Sequence, residues 1–177
     1  RIQSLEDYKD QVEEYYENDE ITVSGWVTRG KVNILTITDR VSFPSDSHIG
    51  VCIAHDHPSK HLPMYKDEIV ALTEKICRVF KIDEGPIYFQ FLLGDNGTLV
   101  NEIACRLGGA YEDITIPLAT GIDVLKLNIE GSLNSEYDRT WAEKFQFKPE
   151  KVCFTTQLFF CRPGLITAMT PLKTLKD

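Results

Sequence analysis

Glu102, Gln90 and Arg106 are the residues of this 177-residue chain whose types and spacing hold the most chemistry. They lie in GPIYFQFLLGDNGTLVNEIACRLGG, residues 85–109, where the apolar-rich runs Ile87–Leu93 and Thr98–Ile103 flank Asp95-Asn96-Gly97, a strong hairpin signal. Strand side chains alternate faces, so loop length decides which residues meet. A three-residue loop, with a type I turn at Asp95-Asn96 and Gly97 left-handed as a bulge, sets Gln90 opposite Glu102. A two-residue Asn-Gly loop puts them on opposite faces. The three-residue loop is the expected one. Tyr88, Gln90, Leu92, Val100, Glu102 and Ala104 then share one face, and Phe89, Phe91, Leu93, Leu99 and Ile103 the other, with Arg106 beyond Ala104 on the polar side. A carboxylate can ligate a hard cation, an amide can add a neutral oxygen, and a guanidinium can clamp a phosphate or carboxylate. The plain alternative is a Glu–Arg ion pair at the end of a sheet.

Glu102-Ile103-Ala104-Cys105-Arg106-Leu107-Gly108-Gly109 resembles the ATP-grasp signature, in which a strand ends Glu-x-Asn-x-Arg or Glu-Ile-Ala-x-Arg and runs into a Gly-Gly turn. The resemblance implies a magnesium–nucleotide site, with Glu102 and Gln90 as metal ligands and Arg106 touching the transferred phosphate or acyl-phosphate. Gln90 stands where the family carries a second acid, and Ala104 where many members carry asparagine. Both changes thin the metal shell.

Upstream, Val12-Glu13-Glu14-Tyr15-Tyr16-Glu17-Asn18-Asp19-Glu20 resembles the hinge of the same family, usually Val-Glu-Glu-(aromatic)-x-x-Gly-x-Glu. Carried over, Glu13, Glu14, Tyr15 and Tyr16 would meet adenine and Glu20 the ribose hydroxyls. Asn18 replaces the glycine, and asparagine also accepts positive φ. The rival reading makes residues 4–16 a short amphipathic helix with Leu5, Tyr8, Val12 and Tyr15 on one face. Arg40, after the strand Val32–Asp39, sits where similar proteins often carry a basic group near the phosphates or the acceptor; it is a candidate catalytic residue beside Arg106.

Composition narrows the partners. A formal charge of −8 argues against nucleic acid and anionic membranes. The sequence has no apolar run long enough to span a bilayer. Five scattered cysteines without CxxC spacing read as reduced thiols in a cytoplasmic protein. The chain starts at Arg1 rather than methionine, and is read as the C-terminal portion of a longer protein.

The elements that must position these groups follow from pattern. Ile21–Thr28 and Val32–Asp39 form a hairpin around Arg29-Gly30. Residues 43–64 hold all four histidines, His48, His55, His57 and His61; they either bind zinc or line a polar loop shaping acceptor specificity. Tyr65–Ile82 is the clearest helix, with Ile69, Leu72, Ile76, Val79 and Phe80 as its core stripe. Residues 111–119 and 122–130 read as two helical pieces, with Thr120 as an N-cap, Pro117 tolerable only near the start of the first, and Glu112 and Asp113 able to supply the charge Gln90 lacks. Gly108-Gly109 can offer backbone N–H groups to an anion or form a plain turn. Residues 131–141 read as a loop, then Val152–Cys161 and Leu165–Met169 as strands of a small β cap.

The expected fold is therefore α+β, a mainly antiparallel sheet with packed helices, the C-terminal part of an ATP-grasp fold. Residues 1–131 would be a partial ATP-grasp domain and 132–177 a linker and cap. The resemblance implies an ATP- and Mg2+-dependent carboxylate–amine or carboxylate–thiol ligase acting through an acyl-phosphate. Its wording is closest to carbamoyl-phosphate-synthase-like and L-amino-acid-ligase members. Partners would be ATP and a small carboxylate or amino acid, with a homodimer left possible. The family's phosphate-gripping lysines and glycine-rich loop normally lie upstream, so this chain alone is expected to be inactive. The alternative is a nucleotide-binding module or pseudoenzyme without turnover. A zinc protein with a structural hairpin is the third reading.

Overall fold

The computed structural model describes residues 16, 18–43, 51–134, 136–159, 163–171 and 174. The hinge residues Glu13, Glu14 and Tyr15, residues 4–15 of the expected helix and His48 lie outside them. Among the described residues six strands, β1 (Asp19–Thr28), β2 (Lys31–Ser42), β3 (Cys52–His57), β4 (Glu84–Gly94), β5 (Gly97–Ala104) and β6 (Phe154–Gln157), form one sheet in the order β5-β4-β1-β2-β3-β6. Every neighbouring pair is antiparallel. The α-helices are α1 (Leu62–Val79), α2 (Glu112–Thr120), α3 (Val124–Leu133) and the single turn α4 (Trp141–Lys144). The expected α+β class holds.

Alternation along the central strands splits the sheet into two faces. Ile21, Val23, Ile37, Phe89 and Phe91 point to one side and pack with Ile69, Ile76 and Cys77 of α1. Trp26 and Leu35 point to the other and pack with Ile116, Val124, Leu127 and Tyr137. Leu35 reaches that second layer because it is the extra residue where the β1–β2 register shifts between Ser24 and Gly25. Gly25 is obligatory at that shift: a Cβ there would stand 2.8 Å from the Asn33 carbonyl oxygen. The β1–β2 turn is the expected Arg29-Gly30 pair, with positive φ at both residues (50° and 76°), matching the twist of the strands it joins.

Several local expectations are corrected. Gly94 pairs with Gly97, so the β4–β5 loop is the two residues Asp95-Asn96, with the positive φ at Gly97. Gln90 still faces Glu102, because an irregularity between Gln90 and Phe91 leaves Asn101 as the extra residue. The bulge therefore lies within the strand, and Leu99 pairs with Leu92 while Val100 pairs with Phe91, the reverse of the faces expected. In α1, Val79 and Phe80 are exposed, and the buried stripe is Ile69, Thr73, Ile76 and Cys77. The helix stops at Val79; Lys81 takes a left-handed conformation and Ile82 turns back, its N–H donating to the Cys77 carbonyl at 2.8 Å. Ile82 thereby covers the core end in place of Phe80.

Thr120 ends α2 rather than capping α3. Its hydroxyl donates to the Ile116 carbonyl and accepts from the Ile122 N–H, while Asp123 caps α3 by accepting from Lys126 N–H at 2.9 Å. Pro117 lies well inside α2, where the carbonyl it leaves unpaired belongs to exposed Asp113 and can meet water. The loop expected over 131–141 is helical to Leu133 and then delivers Tyr137 into the core, where its hydroxyl accepts from Trp26 Nε1 at 2.9 Å. Of the two C-terminal strands expected, only Phe154–Gln157 forms among the described residues, and it extends the main sheet by pairing with β3. Leu165, Ile166 and Met169 are exposed and belong to no strand.

Candidate functional site

Register across four strands aligns one polar row. Glu102 faces Gln90, Gln90 faces Thr22, and Thr22 faces Thr38. The next row toward the hairpin tip holds Arg40 beside Glu20 on one side and His55 on the other. The row behind holds Ser24 beside Tyr88. All are side chains whose strand parity opposes the apolar residues under α1. The polar face is thus the far side of the core, at the end of the sheet that Trp26 and α3 leave uncovered.

Within it, Arg40 and Glu20 form an ion pair with both side chains largely buried. Thr22 and Thr38 hydroxyls bond each other (2.5 Å), and Thr38 bonds His55 Nδ1 at 3.1 Å. His55 Nε2 stands 3.3 Å from the Cys52 thiol. Burial, with the positive charge of Arg40 second, lowers the His55 pKa from 6.5 to about 4, so the imidazole is neutral near pH 7. Burial raises the Cys52 thiol, so it too is neutral.

On the β4–β5 side, Gln90 Oε1 accepts from Asn101 Nδ2 at 3.2 Å and its Nε2 donates to the Tyr88 hydroxyl at 3.3 Å. Arg106 Nη2 donates to Glu102 Oε1 at 3.0 Å, its Nη1 donates to the Leu107 carbonyl, and its guanidinium lies 5.3 Å from the Tyr88 ring centroid. Both partners of that ion pair are about half exposed. The three residues singled out from sequence are therefore brought together, and Arg40 and Glu20 join them on the same face. Tyr16 goes elsewhere, its hydroxyl donating to the Gly97 carbonyl at 2.8 Å and accepting from the Asn96 N–H at the hairpin tip.

Glu112 does not stand beside Gln90. It is 7% exposed, accepts from the Ser24 hydroxyl, and accepts from the Gly108 N–H at 2.6 Å. Burial raises its pKa against those two hydrogen bonds. The anion met by the glycine turn is thus the chain's own carboxylate, which pins the turn after Arg106 to the sheet. Gly108 has no room for a side chain there: a Cβ would lie 2.6 Å from Tyr88 Cδ2.

A cleft of about 220 Å³ opens on this face between Arg40, His55, Tyr88, Gln90 and the Gly109-Ala110-Tyr111 turn. The Thr22–Thr38–His55–Cys52 chain, which meets the cleft at His55 and Cys52, is the part that sequence reasoning missed. Its signal was polar residues at every second strand position, Thr22 and Ser24 in β1, Thr36 and Thr38 in β2. The zinc reading of the histidines fails among the described residues, which hold no group of three or more His, Cys, Asp or Glu able to hold a metal. His57 Nδ1 is spent on the Ile37 carbonyl and His61 pairs with Asp19.

No family model and no curated protein matches the chain. Solved structures do. An L-amino acid ligase from Bacillus licheniformis superimposes with a TM-score of 0.61 at 19% identity, over 70% of this chain and 32% of that one. A phosphoribosylglycinamide synthetase from Anaerococcus prevotii gives 0.57 at 17% identity, over 64% and 28%. A biotin carboxylase from Campylobacter jejuni, solved as a complex with β,γ-ATP, gives 0.55 at 21% identity, over 67% and 26%. The chain spans about a third of these structures or less. All three are ATP-grasp enzymes. The antiparallel sheet with helices on both faces is, over the matched residues, the fold these ATP-grasp enzymes share.

Proposed function

We propose that this chain is the C-terminal portion of the ATP-grasp domain of a cytoplasmic, ATP- and Mg2+-dependent carboxylate–amine or carboxylate–thiol ligase. The observation that carries the reading is Gln90 standing opposite Glu102 on an accessible polar face, with Arg106 hydrogen-bonded to Glu102. The donor set suits a hard cation: a carboxylate and an amide oxygen, completed by phosphate oxygens and water. Magnesium, when bound there, would supply the charge that offsets the transferring phosphoryl group. Glu102 and Gln90 would hold it. Arg106, half exposed and oriented by Tyr88 below it, would swing its free N–H groups onto the phosphoryl oxygens once Glu102 turns to the metal. Arg40 would present its charge to the acceptor side of the cleft, and Glu20 would share its carboxylate between Arg40 and the ribose hydroxyls. Glu13, Glu14 and Tyr15 would meet the adenine edge, while the Tyr16 hydroxyl is held at the hairpin tip. The carboxylate substrate attacks the γ-phosphorus, ADP leaves, and the amine or thiol then displaces phosphate from the acyl-phosphate.

A second reading has its own support. In this structure both oxygen donors are engaged, Glu102 by Arg106 and Gln90 by Asn101. A neutral amide in place of an acid also weakens the field on a cation. The chain would then belong to a nucleotide-binding module without turnover. Phosphate release by the protein that carries this chain, given ATP, Mg2+ and a panel of amino acids, separates the two. Release that rises with Gln90→Glu and is lost with Arg106→Ala supports the ligase. Nucleotide binding with no release across the panel supports the module.

A further inference from the structure

A second cavity, away from the Gln90–Glu102 row, carries its own chemistry. It measures about 390 Å³ and lies between the end of α2, α4 and the 3-10 turn at Pro149–Lys151. That volume is within the range of small-molecule sites. Its floor is apolar, with Leu35 from the sheet and the edge-to-face pair Trp141–Phe145, whose rings are 5.9 Å apart. Its rim carries Lys144, Lys148 and Lys151, and among the described residues no acidic side chain lines it. In a chain with 27 acidic and 19 basic residues, three lysines lining one cavity with no carboxylate among its described lining residues is a local inversion of charge. His57 also lines the cavity, and burial lowers its pKa, so the positive charge belongs to the lysines.

We propose that this cavity binds a small organic anion with an aromatic or short apolar body, the body against Leu35, Trp141 and Phe145 and the anionic head on Lys144, Lys148 and Lys151. The cavity shares no described lining residue with the Arg40–Gln90 cleft and does not depend on the ligase reading.

The two tryptophans of the chain make the test direct. Trp26 Nε1–H already bonds Tyr137, so its indole resonance serves as an internal reference for that of Trp141. Phenylacetate and phenyl phosphate, titrated separately into 15N-labelled protein, distinguish a carboxylate from a phosphate head; inorganic phosphate and benzyl alcohol supply the two halves alone. Saturable movement of the Trp141 resonance by either aryl anion is expected, with the halves binding more weakly. The exposed triple variant Lys144→Glu, Lys148→Glu, Lys151→Glu should weaken that binding by about tenfold or more and remove its salt dependence. No saturable shift with either aryl anion overturns the proposal. So does binding unchanged in the charge-reversed variant, provided its circular dichroism matches the parent.

Discussion

Replacing His55 by glutamine should make the protein more resistant to acid, and the size of the gain follows from where the imidazole sits. His55 is 8% exposed, bonded through Nδ1 to Thr38 and close through Nε2 to Cys52, with Arg40 raising and Asp56 lowering the cost of a positive charge there. Burial is the larger cause, and together they take its pKa from 6.5 to about 4. Between those values the unfolded chain binds a proton that the folded chain refuses, so stability falls as pH falls through that window. At about pH 4.5, two units below the unfolded value, one histidine contributes roughly 2–3 kcal/mol of lost stability at about 1.4 kcal/mol per unit. Glutamine can keep a bond to Thr38 but has nothing to titrate. Urea melts of parent and His55→Gln at about pH 7.5 and about pH 4.5 measure the difference. The loss on acidification should be smaller in the variant by roughly 2–3 kcal/mol. His57, also lowered by burial, acts alike in both proteins and cancels. Equal acid losses in the two proteins would refute the reasoning.

Glu112 tests the opposite sign. Its raised pKa means that its contribution is complete below the ordinary value of 4.5 and is lost as pH rises through the folded value. Glu112→Gln keeps an acceptor for Gly108 and gains a donor for Ser24, so urea melts at neutral pH should show it at least as stable as the parent; a loss above about 1 kcal/mol would contradict the burial argument. Gly108→Ala drives a Cβ to 2.6 Å from Tyr88 Cδ2 and 2.7 Å from Glu112 Cδ. It should cost roughly 2–4 kcal/mol in the same assay, through overpacking and displaced hydrogen bonds, and a loss under about 1 kcal/mol would show that the turn can yield. Among the described cysteines, burial raises Cys77 to about 11 and raises Cys52, whereas Cys105 and Cys153 are exposed. Iodoacetamide at neutral pH, followed by peptide mass spectrometry, should modify Cys105 and Cys153 first; early labelling of Cys77 would show that its side of α1 opens.

What could be read from the sequence was whatever repeats with a strand or helix period. Ile87, Phe89 and Phe91 fix the buried face of β4, and that alone puts Gln90 on the other face. A bulge at Gly97 and a bulge at Asn101 both set Gln90 opposite Glu102, and the chain places its extra residue at Asn101. A bulge inside a strand leaves little composition signal, so Leu99 and Val100 were put on the wrong faces. Phe80 was drawn into the core stripe by periodicity, since nothing local announces that Lys81 will adopt φ 54° and hand the position to Ile82. Tyr137 sits in a polar, turn-rich stretch, and its burial depends on Trp26, 111 residues away. Glu112 read as a second acid for the metal because sequence proximity to the glycine turn does not reveal that Ser24 waits beneath it. Long-range partners decide such cases, and a single sequence does not contain them.

The most direct measurement follows Mn2+, a paramagnetic stand-in for Mg2+, added with ADP to 15N-labelled protein. The side-chain amide resonances of Gln90 and Asn101 should broaden first, and Glu102→Gln should abolish that broadening while leaving the Trp26 indole resonance unchanged. Broadening that centres elsewhere, or that persists undiminished without the Glu102 carboxylate, would contradict a cation site between positions 90 and 102.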